Sequence, residues 1–113
     1  MPSEMRDSSA LKHIELYCEE IERTLSEIQN DRKEYEKSST HRNALALCVL
    51  QIGELVGIMS DEYKEQHDEI PWRDIKQMRN MVAHKYGAFD FDILWEVIND
   101  DIPTLKEFCK NNI

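Results

Sequence analysis

The sequence predicts an all-α fold, an antiparallel four-helix bundle with one short additional helix. Three observations predict it. Apolar residues recur at intervals of three and four over long stretches, the signature of helices with one buried face. Leu, Ile, Glu and Lys, all good helix formers, are abundant. Only three glycines and three prolines are present, so turns are scarce. The 113 residues suit one domain, residues 1–113, with enough chain for a real core but not for two.

Ser8 and Ser9 offer caps for a first helix running to about Asn30. Its stripe is Leu11, Ile14, Cys18, Ile21, Leu25 and Ile28. The charged segment Asp31 to Lys37 reads either as a short helical extension or as a solvated connection. Ser38, Ser39 and Thr40 offer caps for a second long helix, to about Met59. Leu45, Cys48, Ile52, Leu55, Val56 and Met59 form its stripe, and Ala44, Leu47, Val49 and Leu50 widen it. A helix so broadly apolar is central, or buried from two sides.

Ser60 caps a short acidic helix through about Gln66, and His67 to Ile70 form a loop. Pro71 suits the first turn of a third long helix, where its missing N–H costs nothing. That helix runs to about Lys85 with Trp72, Ile75, Met78 and Val82 inward, and Gly87 stops it. Asp90 caps the last helix, which turns Phe91, Leu94, Trp95, Ile98, Ile102, Leu105 and Phe108 inward. Pro103 should kink or divide it.

Three cysteines, an odd number, argue against a disulfide framework, and each reads as a small reduced core residue. His13, His41 and His67 show no metal-ligand spacing with one another or with the cysteines, so no metal site and no cofactor is expected. The run Asp61, Glu62, Glu65, Asp68 and Glu69 reads as a solvated face. No apolar stretch approaches the ~20 residues of a membrane span, and Met1 to Met5 lack an apolar signal core, so a cytoplasmic protein is expected. A formal net charge of −9 opposes general nucleic-acid binding. Any RNA contact must therefore be local, in a cleft that collects the few arginines.

The run Arg79-Asn80-Met81-Val82-Ala83-His84-Lys85-Tyr86 carries the chemistry. An arginine grips a phosphate through two parallel N–H donors. A histidine moves a proton near neutral pH. Together they form a minimal kit for cleaving a phosphodiester without a metal. Five residues on an ideal helix turn through ~500°, which leaves Arg79 and His84 ~140° apart. Arginine is long enough to reach round, so Arg79, Asn80 and His84 are expected to rim one groove, with Tyr86 just beyond. Spacing alone leaves a plainer alternative open, in which Arg79 pairs on the helix surface, His84 neutralises terminal carbonyls and Tyr86 packs. Glu54, in a largely apolar helix, is expected to pair with Arg79 or Arg73 in a structural role.

The chain resembles the HEPN superfamily, and within it the HepT-like toxins of type VII toxin–antitoxin pairs. The residues that carry the resemblance are Gln51-Ile52-Gly53-Glu54, Ile70-Pro71-Trp72, Arg79-Asn80 and His84-Lys85-Tyr86, with Phe91 through Pro103 similar to the family's last helix. The resemblance implies a metal-independent endoribonuclease that works as a homodimer, its R-x4-H-x-Y motifs facing each other across a cleft. It implies catalytic roles for Arg79 and His84, a supporting polar role for Asn80, and Tyr86 as the tyrosine to which an MntA-like nucleotidyltransferase antitoxin transfers AMP. The broad apolar second helix and the two tryptophans, Trp72 and Trp95, supply surface for a second copy. The competing reading is a non-catalytic helical module that binds a nucleotidyltransferase and presents a substrate to it.

Overall fold

The computed structural model describes residues 2–85 and 90–113, with Lys85 described by its backbone. Among the described residues seven α-helices follow in order: α1 (Ser3–Glu27), α2 (Arg32–Lys37), α3 (Ser39–Ile58), α4 (Asp61–Gln66), α5 (Trp72–Lys85), α6 (Phe91–Glu96) and α7 (Ile102–Asn112). No strand occurs among the described residues. The long elements are α1, α3, α5 and the α6–α7 arm, with α2 and α4 as short extra helices, where the sequence predicts one. No helix among the described residues is long and apolar enough to cross a membrane.

The first helix starts earlier than its serines suggest. It begins at Ser3 after Pro2, so Ser8 and Ser9 lie inside it rather than capping it. The extra turns are anchored at Asp7, which is only 5% exposed. Its carboxylate accepts from the Ser60 backbone N–H at 2.8 Å and from the Ser60 hydroxyl at 2.7 Å. A buried carboxylate demands such donors, and here they pin the start of α1 to the junction of α3 and α4. The helix ends where Gln29 and Asn30 take positive φ, 59° and 48°. Asn30 N–H then bonds back to the Leu25 carbonyl at 2.8 Å, closing the orphan carbonyls of the last turn.

The charged segment after it is a helix of its own. Asp31 caps α2 by accepting from Lys33 N–H. Its Tyr35 is fully buried, with its hydroxyl donating to the Phe91 carbonyl at 2.6 Å and its ring 4.7 Å from that of Trp95. Ser38 caps α3 and Ser60 caps α4, both through the side-chain oxygen, and Asp90 caps α6 in the same way. Pro71 precedes α5 and offers its carbonyl to Ile75 N–H. The stop assigned to Gly87 lies outside the described residues.

α3 is the spine, lying between α1 and α5. Its contacts to α1 run antiparallel: Ser60, just past its end, meets Asp7, and His41 near its start meets Glu27 at 2.8 Å. Leu45, Val49, Ile52 and Val56 of α3 join Leu11, Ile14, Ile21, Ile75, Met78 and Leu105 in one core. Trp72 is 7% exposed and donates its indole N–H to the His67 carbonyl, with Phe108 edge-on at 5.7 Å. The last arm is divided as Pro103 requires. Val97–Asp101 widens into a π-turn, which relieves the clash between the proline ring and the turn before it.

All three cysteines are buried and unpaired. Burial pushes the Cys48 thiol up to about 11 and the Cys109 thiol to about 12, and raises Cys18 further. These are core hydrophobes, not nucleophiles.

Candidate active site

The site is built where α5 crosses α3. Each helix turns the face that carries Arg79 or Glu54 toward the other, and Gly53 lets them come close. A methyl group at Gly53 would sit 2.2 Å from the Arg79 Cβ and 2.8 Å from its Cγ, so the stem of Arg79 occupies the space a side chain would fill. Gly53 is buried; Glu54, the next residue, is exposed and meets the arginine's head.

The head is tightly specified. Arg79 Nε donates to Glu54 Oε1 at 2.7 Å, and its Nη2 lies 2.5 Å from the same oxygen. Arg79 Nη1 donates to the Asn80 side-chain oxygen at 2.9 Å. A guanidinium carries five N–H donors. Among the described residues three are engaged, Nε and Nη2 toward Glu54 and Nη1 toward Asn80, which leaves one on each terminal nitrogen. That is the pair that grips a phosphate in bidentate fashion. The Glu54 carboxylate is 49% exposed and the arginine 27%, so the ion pair itself contributes only about 0.2–1 kcal/mol to stability. Of the two partners expected for Glu54, the structure selects Arg79 over Arg73.

Asn80 therefore has a definite place: it holds the second terminal nitrogen. His84 is exposed near the end of α5. At about 100° per residue, Ala83, Lys76, Asn80 and His84 follow Arg79 round one side of α5, within an arc of ~140°. All four are exposed, and none is acidic. Tyr86 lies outside the described residues.

The charge objection has a local answer. No acidic residue lies between Glu36 and Glu54, or between Asp74 and Asp90. Those two stretches make up most of α3 and α5, which pack on each other. The acidity is concentrated elsewhere, so the face around Arg79 and His84 carries Lys76 and Arg79 with one carboxylate, Glu54. A pocket of about 380 Å³ lies apart from this face, between the start of α1 and α4. It is lined by Glu4, Asp7 and Glu62 with no arginine, lysine or histidine. Such a lining repels phosphate.

No group of three or more His, Cys, Asp or Glu side chains among the described residues is arranged to hold a metal ion.

Residues 14–111 match the family described as "Ribonuclease HepT-like". The chain belongs to the HepT-like ribonuclease family. A two-part protein of Methanocaldococcus jannaschii, named "Gamma-glutamylcyclotransferase and putative RNase", is 30% identical over 105 residues, which cover 85% of this chain and 46% of that protein. The chain thus spans about half the length of that relative. A "Putative RNase" of Caldanaerobacter subterraneus subsp. tengcongensis is 30% identical over 100 residues, 88% of each chain. A "Probable ribonuclease HepT" of Thermococcus cleftensis is 40% identical over 55 residues, 49% of this chain and 50% of that one. No solved structure matches. The HepT-like assignment agrees with the resemblance read from Gly53-Glu54, Arg79-Asn80 and His84.

Three features of this HepT-like chain escape a sequence reading. Tyr35 looks like a surface residue in a charged run, yet it is the anchor of α2. Asp7 looks like one more surface acid, yet it is buried. Gly53 sits inside an apolar helix with no turn to signal why it is there. A glycine in the middle of a long helix runs against its propensity, but Gly57 does so too and a methyl group there meets nothing within 4 Å, so the sequence does not single out Gly53.

Proposed function

We propose that the protein is a metal-independent endoribonuclease that acts as a toxin. The observation that supports this best is the Arg79 head group, held by Glu54 and Asn80 with a donor on each terminal nitrogen unengaged among the described residues, on a face shared with His84 where Glu54 is the one acid. A phosphodiester seated on those donors brings its neighbouring ribose to the His84 side of the helix. His84 takes the proton of the 2′-hydroxyl, the 2′-oxygen attacks phosphorus, and the bond to the 5′-oxygen breaks. A proton returned to that oxygen completes the step. Arg79 stabilises the charge that builds on the phosphoryl oxygens. The products are a 2′,3′-cyclic phosphate and a 5′-hydroxyl.

RNA incubated with the purified chain should be cleaved in the presence of EDTA, and mass analysis of the fragments should show cyclic phosphate ends. Activity lost on chelation and restored by magnesium would overturn the mechanism. A chain that cleaves no RNA but still binds a nucleotidyltransferase would support the presenting-module alternative instead.

The working unit of this proposal is a homodimer. Trp72 is buried in the bundle and Trp95 is half-buried against it. On α3, the helix that carries Glu54, Leu47 is 55% exposed and Ile58 53%. On a helical projection both lie within about 40° of Glu54. A second copy on that face would bring two Arg79/His84 sets together.

Regulation belongs to Tyr86, two residues past His84 in the sequence. AMP added to its hydroxyl by an MntA-like nucleotidyltransferase antitoxin would add a phosphate that competes with RNA for Arg79. Intact-mass measurement after incubation with that enzyme, ATP and magnesium should show AMP additions in the wild type and none in Tyr86→Phe. Equal modification and silencing of the phenylalanine variant would remove Tyr86 from this role.

A further inference from the structure

We infer that Glu54 is a positioning residue, which orients Arg79 so that its terminal nitrogens meet the substrate phosphate. The inference rests on the proposed reading of Arg79 as the phosphate-binding group. Glu54 is the sole carboxylate of α3, and it stands on a face from which acids are otherwise absent. A carboxylate beside a phosphate site repels the substrate, so its presence there demands a reason. Stability does not supply one, because the pair is too exposed to add much.

Geometry does. Two arrangements are open to a carboxylate beside an arginine. It can take the fork between the terminal nitrogens, which is the phosphate's own seat, and so act as a clamp that RNA must displace. Or it can take the edge formed by Nε and one terminal nitrogen, which leaves a donor on each terminal nitrogen. Glu54 takes the Nε edge: Oε1 accepts from Nε at 2.7 Å and lies 2.5 Å from Nη2. Asn80 accepts from Nη1 at 2.9 Å. The guanidinium is thus held at all three nitrogens. With Gly53 fixing the stem, Arg79 keeps little freedom to lose when phosphate arrives.

The test compares Glu54→Gln and Glu54→Ala in the full chain, each alone and in an Arg79→Ala background, with single-stranded RNA as the probe. Helicity and melting temperature should stay at wild-type values, because Glu54 is exposed. Glu54→Ala should lower kcat about 10–100-fold with KM within about threefold, the pattern of lost orientation rather than lost binding. Glu54→Gln should fall between, since its amide oxygen still accepts from Nε. In the Arg79→Ala background neither change should cost anything further. Faster cleavage by Glu54→Ala would identify a clamp and overturn the inference, as would undiminished kcat. A further loss in the Arg79→Ala background would overturn it too, by showing that Glu54 acts elsewhere. Full activity in Arg79→Ala alone would instead bring down the reading on which the inference rests.

Discussion

His84→Ala and Arg79→Ala should each lower the rate of RNA cleavage by about 10²–10⁴ while leaving the fold intact. The two halves of that expectation rest on different parts of the structure. His84 is exposed near the end of α5, outside the buried set Trp72, Ile75, Met78 and Val82 that seats the helix. Removing its ring takes nothing from the core, and surface changes of this kind usually stay within about 0.5 kcal/mol. Arg79 is closer to the crossing, but the part that packs on Gly53 begins at Cβ. Alanine retains that atom and loses the head, whose ion pair with Glu54 is too exposed to matter greatly for stability. Circular dichroism and thermal melts should therefore superpose on the wild type, and cleavage of a labelled RNA should not. Arg79→Lys separates charge from geometry: a lysine keeps the cation but has no fork, and it should recover only part of the rate. Full cleavage by His84→Ala would end the acid–base mechanism, whatever the fate of Arg79.

The sequence makes the helices legible because their burial is periodic. The stripe Leu11, Ile14, Cys18 and Ile21 is buried to 1% or less at every position, and the 3.6-residue period alone picks it out. Caps are legible where a side chain does the capping, as at Ser38, Ser60 and Asp90. They fail where tertiary contact sets the boundary. Nothing local at Ser3 announces a helix start; the bond between Asp7 and Ser60, 53 residues apart in the chain, makes those turns worthwhile. The same distinction holds at the site. Arg79 and His84 stand out by residue type and spacing, and Asn80 by adjacency. The partnership of Glu54 with Arg79 spans 25 residues and depends on how α3 and α5 cross. So does the seat at Gly53. Charge behaves likewise: the net value of −9 is a property of the whole chain, whereas substrate meets a face. The two acid-free stretches are visible in the sequence, but only the packing of α3 on α5 makes one surface of them.

Gly53 and Gly57 lie one turn apart in α3, and replacing each with alanine should move stability in opposite directions. Helix propensity treats them alike: alanine should gain about 0.5–1 kcal/mol over glycine inside a helix. Their surroundings differ. A methyl group at Gly57 meets nothing within 4 Å, so Gly57→Ala should realise that gain. At Gly53 the new methyl would lie 2.2 Å from Arg79 Cβ, 2.8 Å from Cγ and 3.4 Å from Cα. The atom in the way is not the free end of a side chain, which could swing aside, but the root of one on a packed helix. α5 has to move off α3. Overfilling a packed contact costs about 1–3 kcal/mol, which outweighs the propensity gain. Each kcal/mol corresponds to about 4–8 °C in melting temperature for a domain near this size. Gly57→Ala should thus melt several degrees above the wild type and Gly53→Ala several degrees below it. Activity should divide the pair further. Shifting α5 carries Arg79 away from Glu54, and a displacement of about 1 Å at a catalytic group can cost 10²-fold in rate. Gly53→Ala should lose most of its cleavage even at temperatures where it is fully folded. A Gly53→Ala variant as stable and as active as Gly57→Ala would show that α3 and α5 do not approach so closely, and that Arg79 is held by its head alone.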